Sequence, residues 1–191
     1  MSVKTSLIAI LAGSLAASAI AEPQQPTQPS AAEMQAQALP IVKRFGATLK
    51  PQLQAAVKSA GFAHAINVCA DIAPAIAAQI SQDTGWTVKR VSLKARNPSA
   101  VPDAYERGVL EDFERRKAEG EAVAELNDGQ WQDGRYRFMK AQGVEGLCLN
   151  CHGSNLAPPV VKALSERYPQ DRATGYAVGD IRGAISLIAP E

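Results

Sequence analysis

Two thiols three residues apart with an imidazole directly after them, Cys148-Leu149-Asn150-Cys151-His152, are the most chemically specific residues in this chain. C-x-x-C-H is the attachment spacing of a c-type haem. Each thiol adds across one porphyrin vinyl group to give a thioether, and the adjacent histidine is held as the proximal iron ligand. Two other chemistries use a C-x-x-C pair. A redox-active dithiol belongs where a strand runs into a helix that opens with the pair, whereas here Gln142-Gly143-Val144-Glu145-Gly146 precedes it and reads as a loop. A structural zinc site needs four ligands, and outside the motif only Cys69 and His64 are typical ones. Only haem attachment uses His152 where it stands. The expected cofactor is therefore one covalent haem c on Cys148 and Cys151, with His152 proximal.

The opposite face of the iron has several candidates: Cys69, His64, Met34, Met139, or no protein ligand. On one regular helix, His64 and Cys69 are displaced by about 140°, so only one of them can face a haem. The side of Cys69 carries Phe62, Ala65, Ile66, Ile72, Ala73 and Ile76, an apolar wall; His64 shares its side with Asn67, Val68 and Asp71. With two of the three cysteines taken by haem, Cys69 is an odd thiol. An inert buried cysteine is the ordinary alternative. Arg90, Arg96 and Arg182 are candidates for the haem propionates because a guanidinium offers a fork to a carboxylate; the alternative for each is a surface charge or structural hydrogen-bonder. Tyr176 and Phe138 are candidates to line the pocket or to serve as general core. No Ser-His-Asp set, phosphate-binding glycine loop or paired acid and base is recognisable, so an electron carrier or sensor is expected rather than an enzyme.

The elements that must position these groups begin with a leader. Lys4, an apolar stretch from Leu7 to Ile20 and Ala19-Ile20-Ala21 before Glu22 read as a secretory signal peptide cleaved after Ala21. Haem attachment outside the cytoplasm agrees with export to the periplasm. No stable membrane insertion is expected after cleavage, since the late apolar segment Gly183–Ala189 is too short to span. Loss of Lys4 leaves nineteen basic against nineteen acidic residues. That balance gives no reason to expect nucleic acid as a partner.

Residues 22–32, with Pro23, Pro26 and Pro29, read as a tether, and residues 33–191 as one domain. Helix is expected over Glu33–Ala60, kinked or divided at Pro40 and Pro51 and stopped by Gly61. A second helical run, Phe62–Ile80, is interrupted or restarted at Pro74. Strand is expected over Trp86–Leu93, a turn at Arg96-Asn97-Pro98, and helix over Asp103–Glu119 after Pro102. Strands Glu121–Leu126 and Gly134–Lys140 would flank a turn at Asn127-Asp128-Gly129. A helix near Pro159–Arg167 and a strand Ile181–Ile188 complete the order. It argues for an α+β fold with an antiparallel sheet.

Ala65-Ile66-Asn67-Val68-Cys69 with Ala73-Pro74, Val88-Lys89-Arg90-Val91-Ser92, Arg96-Asn97-Pro98, Cys148–Gly153 and Gly179-Asp180-Ile181-Arg182-Gly183 occur in this order. Together they resemble the Tll0287-like haem domain, also called the DUF3365 family, over roughly Glu33 to Ile188. The resemblance implies a PAS-like α+β fold with one c-type haem ligated axially by His152 and Cys69. Such ligation implies a low-potential haem, because a thiolate favours Fe(III). The expected function is periplasmic electron transfer with an unidentified redox partner protein. The alternative is a haem-based redox or gas sensor, in which reduction frees the thiolate and a small gas binds.

Overall fold

A computed structural model describes residues 28–191. The expected signal peptide and the expected tether as far as Thr27 lie outside the described residues. The tether ends earlier than its composition suggests: helix α1 (Ala31–Asn67) starts at Ala31. Ser30 caps it, its hydroxyl accepting from the Glu33 N–H while the Glu33 carboxylate accepts from the Ser30 N–H at 2.7 Å.

Neither proline divides α1. Pro40 and Pro51 lie on its exposed side, as do Ala36 and Ala47, whose carbonyls lose their helical donors, so water satisfies what proline removes. The break falls at Gly61 (φ 79°, ψ 178°), a conformation that only a residue without Cβ takes at little cost. A π-helical turn, Val68–Ile72, then joins α1 to helix α2 (Ala73–Thr84), which ends on left-handed Gly85. By length and hydropathy Ala31–Thr84 would pass for a membrane crossing. Here its stripe of Met34, Ala38, Ile41 and Phe45 is buried against the sheet.

The sheet has four antiparallel strands in the order β1-β4-β3-β2: β1 (Thr87–Val91), β2 (Asn127–Gln132), β3 (Arg135–Gly143) and β4 (Ile181–Ile188). The last strand thus enters the middle, with Arg90 opposite Ile185 and Phe138 opposite Leu187. The expected strand Glu121–Leu126 and turn Asn127-Asp128-Gly129 are not formed. Asn127–Gln132 is itself strand, and the hairpin closes at Asp133-Gly134, both left-handed (φ 50° and 77°), the pair a type I′ turn requires. Gly129 serves the strand instead: a Cβ there would sit 2.1 Å from the Tyr136 hydroxyl oxygen.

Helices cover both faces. Against α1 and α2 lie Trp86, Val88, Tyr136, Phe138, Ile185 and Leu187. Against helix α3 (Ala104–Ala118) lie Val91, Leu126, Met139 and Ala184. Met34 and Phe138 belong to the first core and Met139 to the second. Neither core contains a residue of the C-x-x-C-H motif. Glu106 pins α3 to the sheet from complete burial. It pairs with Lys89 at 2.9 Å and Arg137 at 3.3 Å and accepts from the Ser186 hydroxyl at 2.7 Å. Short helix α4 (Leu149–His152) and helix α5 (Pro158–Arg167) fill the long connection from β3 to β4.

Near the start of β4 the register shifts, Gly143 facing Ile181 and Gln142 facing Gly183 so that Arg182 is extra, and at Gly183 (φ 151°) a Cβ would meet the Val91 carbonyl oxygen at 2.2 Å. Gly183→Ala is therefore expected to lower stability by roughly 2–3 kcal/mol, from strain and the backbone clash together. Denaturant unfolding checks this, with wild-type stability as the contrary result.

Candidate haem site

The cysteine pair sits where a 3-10 turn, Gly146–Cys148, passes into α4. Helical spacing of three puts both thiols on one side. The Glu145 N–H points at the Cys148 Sγ at 3.3 Å. Cys151 joins the apolar cluster of Phe62, Ile66, Val160, Leu164 and Tyr168. Burial pushes its thiol up to about 11, with Arg96 opposing and Cys69 adding to the rise. The chain leaves at Gly153, where a Cβ would lie 2.6 Å from the Leu149 carbonyl oxygen.

His152 Nδ1 lies 2.7 Å from the Ala173 carbonyl oxygen, which only accepts, so the proton is on Nδ1 and the Nε2 lone pair is available. Burial, with the nearby Arg182 and Arg96 cations, pushes His152 down to about 3. The ring is thus neutral at physiological pH, the form that ligates a metal. Tyr176 stands edge-on to it, ring centroids 6.2 Å apart. The Tyr176 N–H donates to the His152 carbonyl at 2.9 Å, clasping the motif to the segment before β4.

All three candidate arginines disfavour the charged form of this histidine, Arg182 most and Arg90 least. Their partners divide them. Arg96 is buried and spends Nε and Nη2 on Asp171, Cys151 and Ala173, the structural hydrogen-bonding alternative, which makes it a brace of the motif. Arg182 reaches the Ser92 hydroxyl at 2.9 Å and approaches His152 Nε2 at 3.5 Å, while Arg90 lies over the Phe45 ring. Among the described residues neither pairs with a carboxylate. Arg182 is so desolvated that its pKa is lowered. Cations held in this way call for anionic partners. A propionate would meet that need at Arg182, so the residues fit a haem: thiols at thioether spacing, a neutral imidazole whose Nε2 accepts only the long 3.5 Å contact from Arg182 Nε, and two guanidiniums without a carboxylate partner among the described residues. Among the described residues no three His, Cys, Asp or Glu side chains gather to hold a metal ion, which leaves a zinc site short of donors.

Cys69 is half-buried on the π turn. It lies near both Cys151 and Tyr168, since its charge helps raise the pKa of each, burial being the larger cause. His64 is exposed. The regular-helix wheel needs two corrections: Val68, placed on the mixed side of His64, is buried, and Ile72, expected on the inward wall, is 36% exposed, because the wider π turn shifts the phase after Val68. The sequence signal is Pro74. It has no N–H for the Ala70 carbonyl, and the Ala73 N–H bonds instead to the Val68 carbonyl, five residues back. Such insertions are frequent at functional sites. The roles of Tyr168, Asp171 and the Ala173 carbonyl carry no signal in the sequence.

Asp180 anchors the turn that delivers Arg182. Its carboxylate accepts from the Ala177 N–H and from Lys117, both at 2.8 Å, and these bonds hold its pKa below the ordinary value. A depressed carboxylate stabilises the fold above its unfolded pKa, and that stability is lost as pH falls through the folded one. Asp180→Asn is expected to cost roughly 1 kcal/mol at pH 7, solvent screening of the part-exposed pair keeping it small. The difference from wild type should shrink as pH falls through the depressed pKa of the folded carboxylate; a pH-independent difference in melting curves would contradict the assignment.

The family model of Tll0287-like proteins matches residues 14–190. Among solved structures, the crystal structure of the cyanobacterial heme-protein Tll0287 aligns with a TM-score of 0.65 at 24% identity, covering 83% of this chain and 96% of that one. At this identity the likeness establishes the fold. No curated protein matches the sequence.

Proposed function

The chain belongs to the Tll0287-like family, and from that premise we propose that it is an exported monohaem c-type cytochrome that carries electrons in the periplasm. Cys148 and Cys151 hold the haem through thioethers, His152 and Cys69 ligate its iron, and Arg90 and Arg182 pair with its propionates. The observation that carries this reading is the His152 imidazole, directly after the C-x-x-C pair and fixed as the Nδ1–H tautomer by the Ala173 carbonyl at 2.7 Å, which leaves Nε2 as the nitrogen that carries the lone pair. Haem bound there supplies a reversible one-electron couple. The protein's part is to orient and to exclude water. His152 presents Nε2 in a fixed plane, Tyr176 and the cluster around Tyr168 keep the surroundings apolar, and the Cys69 thiolate adds negative charge that favours Fe(III) and keeps the potential low.

A second reading, a haem-based redox or gas sensor, is favoured by the place of Cys69, half-buried on a π turn, where a ligand that leaves on reduction would open a position for a gas. The two readings separate in a potentiometric titration with spectra recorded under argon, carbon monoxide and nitric oxide. Reversible one-electron exchange with no ligand bound to the reduced protein supports the carrier. Release of Cys69 on reduction followed by tight binding of one gas overturns it in favour of the sensor.

A further inference from the structure

We propose that Arg96, held by Asp171, is the positioning residue that fixes the plane of the His152 imidazole and tempers how strongly it donates to the iron; this rests on the haem reading above. Arg96 is 6% exposed. Its Nε donates to Asp171 Oδ2 at 3.1 Å, and its Nη2 to the carbonyls of Cys151 at 2.6 Å and Ala173 at 3.2 Å. The other oxygen of Asp171 accepts from the Ala173 N–H at 2.8 Å, and the preceding backbone N–H, of Arg172, donates to the Ala95 carbonyl at 3.1 Å. Residue 173 is therefore gripped at both its N–H and its C=O. That carbonyl is the one that accepts from His152 Nδ1. One guanidinium thus ties the carbonyl of the second haem cysteine to the carbonyl that orients the neighbouring histidine.

The arrangement has an electronic consequence as well as a steric one. A carbonyl shared with a guanidinium has less density to offer Nδ1–H, so the imidazole gains less anionic character and is a poorer donor. The buried cation itself also disfavours Fe(III), and Asp171, 3.0 Å away, offsets part of that charge. Arg96 therefore raises the potential against the pull of the Cys69 thiolate, and Asp171 limits the rise. Burying this ion pair carries a desolvation cost that a surface pair avoids. What it secures here is the orientation of two carbonyls.

The test uses the full-length holoprotein with Arg96→Gln and Asp171→Asn. Two readouts are required: the order of the haem-methyl shifts in the ferric proton NMR spectrum, which follows the imidazole plane, and the midpoint potential. Arg96→Gln should change the methyl order and lower the potential by an amount equal to roughly a tenfold change in the ferric–ferrous equilibrium, about 59 mV for one electron. Asp171→Asn should move the potential the other way. Haem-loaded variants with wild-type methyl order and potential, differing only in melting temperature, overturn the proposal, as do shifts of the same sign. If Arg96→Gln does not accumulate, Arg96→Lys, which keeps the charge and loses the fork, decides by the methyl order alone: altered supports the proposal, unchanged overturns it. Failure of the haem reading looks different, since the wild-type protein then shows no haem-methyl resonances.

Discussion

Cys148→Ser with Cys151→Ser is expected to abolish covalent haem, leaving all pigment extractable into acid acetone and the polypeptide at its haem-free mass. The reason is that no other described thiol can substitute. Cys69 is the only cysteine outside the motif, and it sits on a different element, the π turn between α1 and α2. Cys148→Ser alone should leave one thioether at Cys151 and one free vinyl group, seen as a displaced band of the reduced pyridine complex. His152→Ala should spare both thioether positions and remove the proximal ligand, so a residual product would be high-spin. The effect of the double substitution is all-or-none. Haem that still travels with the protein through denaturing acid acetone would refute attachment at these residues.

What could be read from the sequence follows from how local each signal is. The C-x-x-C-H motif is contiguous, so its chemistry needs no fold to be seen. β4 at Ile181–Ile188 was legible because a Gly-Asp boundary precedes an apolar run. The hairpin was not, because Asn127-Asp128-Gly129 and Asp133-Gly134 are both good turn sequences. What selects the second is the Tyr136 hydroxyl lying over Gly129, a cross-strand fact. Pro40 and Pro51 do not divide the helix as one of the two expectations had it, and the carbonyls they free, of Ala36 and Ala47, lie on its exposed side where water can reach them. At the site, arginines can be counted, but whether one pairs with a carboxylate depends on residues far away in the chain. Arg96 is separated from Asp171 by 75 positions, and that one contact turns a candidate anion-binder into a brace. The acceptor that orients His152 is a backbone carbonyl, which no residue type announces.

Cys69→Ala is expected to convert the low-spin ferric protein to a high-spin or differently ligated form and to raise the midpoint potential. The expected rise equals roughly a hundredfold or greater shift in the ferric–ferrous equilibrium, about 120 mV. The magnitude follows from removing a full negative charge at the iron in an apolar site, where charges are poorly screened. The direction follows because a thiolate stabilises Fe(III) more than Fe(II). The two other sulfur candidates, Met34 and Met139, are locked in cores that contain no motif residue, so neither can take over without local unfolding. His64 can reach only by rotating its segment, and Gly61, three residues earlier, is where the helix already breaks. His64→Ala in the wild-type background is therefore the informative control, expected to leave spectrum and potential unchanged. His64→Ala added to Cys69→Ala then separates ligand replacement from an open position. If the first variant is low-spin and the double variant high-spin, the histidine had moved in; if both are high-spin, the position was open. A low-spin spectrum that survives Cys69→Ala but not His64→Ala alone would transfer the distal role to the histidine and remove the physical ground for a low-potential carrier.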